Sequence, residues 1–323
     1  MNRLLYIDSF RGFGIILMIM GHVGYGELFD KFIHAFHMPM FFFVSGYFYS
    51  YKNIRIVNFL QKKTYSLIVP YLITGGFCFL ISLPIFNDMS KLTHLLFVNT
   101  TGLPIAGALW FLTALYFCDL LYFIMDRFLT VKKLTIAVFF LAILGCYLPS
   151  FLPFRMPWAL DVSLVGCGMY HSARLIRDNE MKLRNIFDLK NIYILLLGCG
   201  MFTLIFINGN VNLREGVYSN IALFWINAIG SCIVGINICR KIESINNKCF
   251  SKIMRCVYSI GEHSITYLCW NQLIIIVVYK IFRYLNWGDT LWVHGVVLIL
   301  VICILYKMDS IIMDSKIKFI IGK

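Results

Sequence analysis

Apolar runs long enough to cross a bilayer alternate with short polar stretches along most of the chain. A transmembrane helix needs about 20 predominantly apolar residues. The alternation therefore predicts an all-α integral membrane protein with about ten transmembrane helices. The predicted spans are residues 9–26, 33–51, 65–86, 107–126, 132–149, 157–175, 190–208, 218–239, 261–282 and 290–307.

Composition supports the same class of protein. Hydrophobic residues make up 60% of the chain and charged residues 14%, whereas a soluble domain carries about 25% charged residues. The polar stretches between the apolar runs are too short to form a soluble domain. We therefore expect a single transmembrane domain over residues 1–323, with no separate soluble domain.

Lysine and arginine concentrate in alternate loops, near residues 52–63, 127–133, 174–190 and 240–255, and in the tail from Lys307. The intervening loops hold only Lys31, Lys91, Arg155, Arg214, Lys280 and Arg283. Because positively charged loops stay on the cytoplasmic side, both termini are predicted to be cytoplasmic, with the protein in the cell inner or plasma membrane. Topology thus accounts for the net charge of +13, and no nucleic-acid partner is expected.

The eleven cysteines lie mostly within apolar runs, and no Cys-x-x-Cys pair occurs. A cysteine in apolar surroundings behaves as a small hydrophobic residue. We therefore expect neither a disulfide framework nor a metal site built on cysteine.

The first predicted helix carries three ionisable residues, Asp8, Arg11 and His22. Asp8 and Arg11 are three residues apart, so they share a helix face and can pair. His22 follows Arg11 by about three turns, so both project on nearly the same side, about 16 Å apart along the axis. Ionisable residues within a span mark functional sites by default, and imidazole suits proton transfer. The structural alternatives are a snorkelling anchor for Arg11 and a helix–helix hydrogen bond for His22.

The second span begins with His34 and His37 and carries Ser45 and Gly46 further along. It starts at about the depth of His22, so the three histidines are expected to converge. Three imidazoles can bind zinc, but no cysteine or carboxylate is placed to complete such a site, and no metal is expected. His37 is expected to carry or orient proton chemistry, and the Ser-Gly pair to allow close helix packing.

Several motifs occur in order along the chain. The first helix, DSFRGFGIILMIMGHVG, separates Arg11 from His22 by ten residues, and the second, FHMPMFFFVSGYFY, holds His37 and a Ser-Gly-aromatic sequence. Both resemble the start of the membrane-bound acyltransferase-3 family. The segments ALWFLTALYFCDLLYF, LPFRMPWALDVSLVGCGMYHSARLI and SIGEHSITYLCWNQLIII are similar to later segments of that family. The resemblance covers nearly the whole chain and agrees with ten helices.

The resemblance implies a membrane O-acyltransferase. It implies transfer of an acyl group, most often acetyl, from acyl-CoA to a hydroxyl of a cell-surface or lipid-linked carbohydrate, with acetyl-CoA or another acyl-CoA as the donor substrate. The implied general base is His22. The expected site residues are, for catalysis, His22, Arg11, His37 and Asp8; for donor binding, Arg11, Lys62 and Lys63; and for substrate binding, Ser45, Gly46, Trp110 and Asn271.

The chain departs from the family pattern at two places. The family often has Arg-x-x-Arg before a Leu-x-x-Pro on the cytoplasmic side, where this chain has Lys63 and Ser66. In the ninth helix the family often has a histidine, where this chain has Asn271. Asparagine cannot exchange a proton at neutral pH, so Asn271 is left to hydrogen-bond a substrate or another helix. Asp119, in the middle of the fourth span, is a further ionisable residue without an assigned role.

Some alternatives stay open. A covalent acyl-histidine step and direct transfer are both compatible with the motifs, as are acetyl, succinyl or longer acyl groups. A multispan transporter or flippase for a glycan precursor is the second class of function, because proline-interrupted helices and buried ionisable residues suit transport. That class does not require the spacing of Arg11 and His22. The acceptor and the oligomeric state are not determined by the sequence.

Overall fold

The computed structural model describes residues 4–50, 54–179, 186, 188–245 and 248–323. Stretches 51–53, 180–185 and 246–247 of the predicted basic loops lie outside the described residues. The described residues are mostly helical and contain no β-sheet; one isolated antiparallel bridge joins Asn212 and Val217. The prediction of an all-α fold is confirmed.

The α-helices, numbered in chain order, are α1 (Leu5–Val23), α2 (Glu27–His34), α3 (His37–Phe48), α4 (Ile56–Lys63), α5 (Val69–Phe86), α6 (Ser90–Leu96), α7 (Trp110–Phe128), α8 (Val131–Phe151), α9 (Leu160–Asp178), α10 (Asn191–Asn208), α11 (Ile221–Glu243), α12 (Lys248–Glu262), α13 (Ser264–Tyr284) and α14 (Leu291–Asp314). A π-helical turn, Thr64–Ile68, joins α4 to α5. Short 3₁₀ turns are Gly107–Leu109, Pro157–Ala159 and Lys316–Ile321.

Among the described residues, seven helical segments are long and apolar enough to cross a membrane, and they match seven of the ten predicted spans. They are Ile56–Ile85, Gly107–Phe128, Val131–Phe151, Asn191–Asn208, Ile221–Glu243, Ser264–Tyr284 and Leu291–Asp314. Helices α1 and α9 are each 19 residues long but are more polar. A multi-pass membrane protein is confirmed; the count of ten and the cytoplasmic termini stay predictions.

The continuous helix expected over residues 33–51 is replaced by two helices. The chain leaves the helical conformation at Phe36, where φ is −143°. Helix α3 has 12 residues, which at 1.5 Å per residue gives about 18 Å, shorter than a hydrocarbon core of about 30 Å. Helix α3 by itself therefore does not have the length of a transmembrane helix.

The chain forms two compact units, each built from segments that are distant in sequence. The first unit contains residues 1–21, 26–49 and 168–264, and the second contains residues 22–25, 50–167 and 265–323. Helix α1 passes from the first unit to the second at His22. The expectation of one domain over the whole chain stays a prediction.

In the first unit, α1 and α12 approach each other backbone to backbone. A Cβ atom on Gly261 would lie 2.0 Å from the carbonyl oxygen of Asp8, and one on Gly12 would lie 2.2 Å from that of Val257. No other residue type fits at either position without moving a helix. Small residues allow this kind of close contact between helices, and here it brings the end of α12 beside Arg11.

Buried charges in the second unit have polar partners. The guanidinium of Arg155 lies 2.6 Å from the carboxylate of Asp161, and the hydroxyl of Thr266 donates to Asp309 over 2.7 Å. Both aspartates are almost fully buried. A buried carboxylate without such partners would be strongly unfavourable, so these contacts hold α9, α13 and α14 in place.

Candidate active site

His22 lies in the last turn of α1 and is held by a side chain from a distant part of the chain. Its Nδ1 atom lies 2.6 Å from Oδ1 of Asn271, which is 249 residues away in sequence. Asn271 is fully buried in α13, whereas His22 is partly exposed. The contact is a direct hydrogen bond within the second unit.

The side-chain amide of Asn271 has one orientation that satisfies its surroundings. Its Nδ2 atom lies 2.8 Å from the carbonyl oxygens of Tyr267 and Leu268. Carbonyl oxygens only accept hydrogen bonds, so Nδ2 donates to both and Oδ1 accepts from His22. The hydrogen-bond network thus assigns the proton of neutral His22 to Nδ1. Nε2 then carries the lone pair, as a general base requires.

The backbone beside His22 is also fixed by α13. The hydroxyl of Tyr279 donates to the carbonyl oxygen of Val23 over 2.9 Å. The last carbonyls of a helix have no partner within that helix, and Tyr279 supplies one. Helix α13 therefore restrains both the imidazole of His22 and the end of the helix that carries it.

Trp110, an expected substrate contact, begins α7 close to the same part of α13. The backbone N–H of Ala108 donates to the side-chain oxygen of Gln272 over 3.2 Å, and Gln272 follows Asn271 directly. Trp110 itself is only 4% exposed and meets Phe111 edge to face. It is a buried residue of the second unit, and its contact with substrate stays a prediction.

Arg11, on the first-unit part of α1, is partly buried. Its guanidinium donates to the carbonyl oxygen of Gly261 over 3.5 Å and lies 5.6 Å from the centre of the Phe48 ring. The carboxylate of Asp8 attracts it electrostatically. A snorkelling side chain would extend toward the aqueous interface; Arg11 instead contacts α12 and α3. Its charge is thus held between helices.

Lys63, an expected donor contact, forms an ion pair with a buried carboxylate. Its Nζ atom lies 2.7 Å from Oδ2 of Asp119, and Asp119 is fully buried in α7. The sequence left Asp119 without a role, and the structure assigns it this partner. Because breaking a buried pair is costly, Lys63 is a poorer phosphate ligand than the exposed Lys62. Donor binding by either lysine stays a prediction.

His34 and His37 lie at the break between α2 and α3 in the first unit. Nδ1 of His37 lies 2.7 Å from the carbonyl oxygen of Ile33, and Nδ1 of His34 lies 2.7 Å from that of Asp30. Both rings therefore donate from Nδ1 to backbone carbonyls, and the carbonyl of Ile33 also accepts the backbone N–H of Phe36. The rings meet edge to face, 5.1 Å apart. A catalytic role for His37, and convergence with His22, stay predictions.

Gly46 of α3 allows the close helix packing that was expected of the Ser-Gly pair. A Cβ atom on Gly46 would lie 2.1 Å from the carbonyl oxygen of Tyr170, so α3 contacts the backbone of α9. Ser45 is partly exposed. Substrate contacts from either residue stay predictions.

Within the part of the chain that the structure describes, no group of three or more histidine, cysteine, aspartate or glutamate side chains is arranged to hold a metal ion. The ten described cysteines are not joined in disulfides.

A comparison with protein families gives one decisive match. The model of the acyltransferase domain of acyltransferase family 3 matches residues 4–308, nearly the whole chain. The chain belongs to this family. Family 3 proteins are acyltransferases, so the chain is a multi-pass membrane acyltransferase of groups other than aminoacyl groups. No curated protein and no solved structure matches it.

Family membership confirms the resemblance that the motifs indicated, and the structure adds what the motifs missed. The sequence singled out His22 and Asn271 separately and did not pair them. A signal was present, because an asparagine within an apolar helix needs hydrogen-bond partners. The choice among the polar residues of the other helices required the tertiary structure.

Proposed function

We propose that this acyltransferase moves an acyl group, most often acetyl, from acyl-CoA to a hydroxyl of a cell-surface or lipid-linked carbohydrate. It acts in the plasma or inner membrane, with His22 as the general base. The observation that supports this most is the bond of Asn271 to Nδ1 of His22, because it directs the basic lone pair to Nε2.

In the proposed reaction, Nε2 of His22 accepts the proton of the acceptor hydroxyl while the oxygen attacks the thioester carbonyl. The new C–O bond forms and the C–S bond breaks. The departing thiolate of coenzyme A takes the proton from the imidazolium, so free thiol and O-acyl product leave and His22 is neutral again. Asn271 stabilises the imidazolium through its carbonyl oxygen during the step.

Arg11 is proposed to bind the donor. The guanidinium presents planar paired donors that match phosphate oxygens, which an ammonium does not. Arg11→Lys should therefore weaken acyl-CoA binding, by about 1.5–3 kcal/mol for a charged contact, or about ten- to hundredfold. Arg255→Lys is the matched control, because Arg255 is an exposed arginine on α12. If both variants bound acyl-CoA as tightly as the parent chain, Arg11 would contribute only to membrane topology.

The reaction itself is tested with purified protein in lipid nanodiscs. Acyl-CoA consumption is measured with a panel of glycans, and surface glycans of cells with and without the gene are compared by mass spectrometry. We expect acyl groups on glycan hydroxyls that disappear with the gene and return with the parent chain but not with His22→Ala. Glycans transported without acyl-CoA consumption would favour a transporter or flippase instead.

A further inference from the structure

A pocket of about 370 Å³ lies in the second unit, lined in part by Val23, the residue directly after His22. Val23 and Gly24, at the end of α1, form part of its wall. The rest comes from the end of α13, the start of α14 and the loop between them. Small-molecule pockets in proteins span about 300–1,000 Å³, so this one has room for a small polar ligand. Under the predicted topology it opens on the extracytoplasmic side.

One wall of the pocket is an indole ring. Trp287 lines it and is held edge to face by Phe282, with ring centres 4.7 Å apart. Its backbone N–H donates to the carbonyl oxygen of Phe282 over 3.0 Å. Trp287 is 44% exposed, so a part of the indole is open to a ligand. The negative face of an indole suits the C–H bonds of a sugar ring, which carry a weak positive charge.

Polar groups line the same pocket. Nε2 of His294 lies 2.6 Å from a carboxylate oxygen of Asp289, and a carboxylate only accepts, so Nε2 donates. Nδ1 of His294 is buried, and no described residue forms a hydrogen bond with it. A hydroxyl can satisfy that nitrogen in either protonation state, because it both donates and accepts. Arg283, which also lines the pocket, adds further donors.

His294 is built into the pocket rather than loosely exposed. Its side chain is 14% exposed, and its ring meets the rings of Tyr25 and Tyr279 edge to face, at 6.0 and 6.1 Å. Tyr279 is the residue that holds the carbonyl of Val23. The wall of the pocket and the backbone next to His22 are therefore linked through one side chain.

We propose that this pocket binds one pyranose ring of the carbohydrate acceptor, with Trp287 as the stacking surface and His294, Asp289 and Arg283 as hydrogen-bond partners of its hydroxyls. The inference rests on the proposed function, because the bound sugar acts as acceptor only if it presents a hydroxyl to His22. Trp292 offers a contrast: it is 68% exposed and stacks on Trp287 at 6.5 Å, but it does not line the pocket. An aromatic belt at the membrane surface would give both tryptophans the same role.

The test measures sugar binding without any donor. The full chain in nanodiscs is applied to an array of hexoses, N-acetylhexosamines, deoxyhexoses and uronic acids, and the tightest ligand is titrated by calorimetry. We expect Trp287→Ala to weaken binding about tenfold or more, as loss of an aromatic anchor that the bound ligand covers does, and Trp292→Ala to change it less than about twofold. His294→Ala should also weaken it.

The outcomes separate this inference from the proposed reaction. If sugar binding depends on Trp287 but acyl-CoA is never consumed, the pocket is supported and the proposed reaction is wrong. Equal losses from Trp287→Ala and Trp292→Ala, or no binding of any arrayed sugar, would overturn the pocket even if transfer occurs. The tightest ligand is also tested in two forms, free and attached to a lipid. Binding of the lipid-linked form alone, unaffected by Trp287→Ala, would also overturn the pocket.

Discussion

Two histidine-bearing regions, the end of α1 and the break between α2 and α3, use the same ring nitrogen in different ways. At the end of α1, Nδ1 of His22 donates to a side chain on α13, 249 residues away. At the break between α2 and α3, Nδ1 of His37 donates to a carbonyl four residues back. The second arrangement is local and adds a side-chain donor to a carbonyl that also accepts the backbone N–H of Phe36. Both bonds put the ring proton on Nδ1 and leave the lone pair on Nε2, but only the first ties the ring to a side chain of a distant helix.

The strongest test of this contrast is His22→Ala. A general base contributes about 10²–10⁴-fold to a rate, so we expect turnover of acyl-CoA with acceptor to fall by that factor. Normal insertion and elution of the purified variant would show that the fold is intact. His263→Ala, between α12 and α13, is the control, and near-normal turnover of His22→Ala would place the base elsewhere.

A second test removes the partner of His22. Asn271→Leu leaves the Nδ1–H of His22 without its acceptor, at a cost of about 1–3 kcal/mol. We expect a loss of about ten- to hundredfold in kcat, and normal acyl-CoA affinity.

The pH dependence of the rate shows whether Asn271 positions His22 or only packs against it. Asn271→Asp keeps the acceptor and adds a negative charge that stabilises the imidazolium. The rate needs neutral His22, so the rising limb of the pH–rate profile should move to higher pH. An unchanged profile, with lost stability in Asn271→Leu, would make Asn271 a packing residue only.

A third test asks whether His37 is structural. His37→Ala leaves the buried carbonyl of Ile33 with one partner fewer, so unfolding should become easier by about 1–3 kcal/mol. Thermal unfolding in detergent measures this. Turnover per folded molecule should fall less than about tenfold, which is below the effect of a general base. A loss as large as that of His22→Ala in a stable variant would restore the catalytic role expected from the sequence.

The smallest effect is expected for His34→Ala. His34 is more exposed than His37, so water can replace its bond to the Asp30 carbonyl. We expect a loss of about 0.5–1.5 kcal/mol in stability, the net value of one hydrogen bond, and unchanged turnover. The same thermal unfolding measurement tests this prediction. A loss of stability greater than that of His37→Ala would contradict the larger structural role assigned to His37.

The sequence by itself determined the class of protein, the family and the polar residues of α1. Apolar runs identify most of the spans because a bilayer sets the length and composition of a helix that crosses it. The spacing of Arg11 and His22 could be placed on one helix face because helical geometry is local. The break at Phe36 was not foreseen, since residues 33–51 are apolar enough to form one helix.

Only the tertiary structure decided which polar residues meet. Asn271 is one of several polar residues within the apolar helices, and Lys63 is one of many cations in the chain. Periodicity along the chain does not indicate which helix lies beside which. The pocket at Trp287 has the same origin, since its walls come from the end of α1 and from residues about 260 positions later. Contacts between distant segments are set by how helix faces pack, and such packing is a property of the assembled chain.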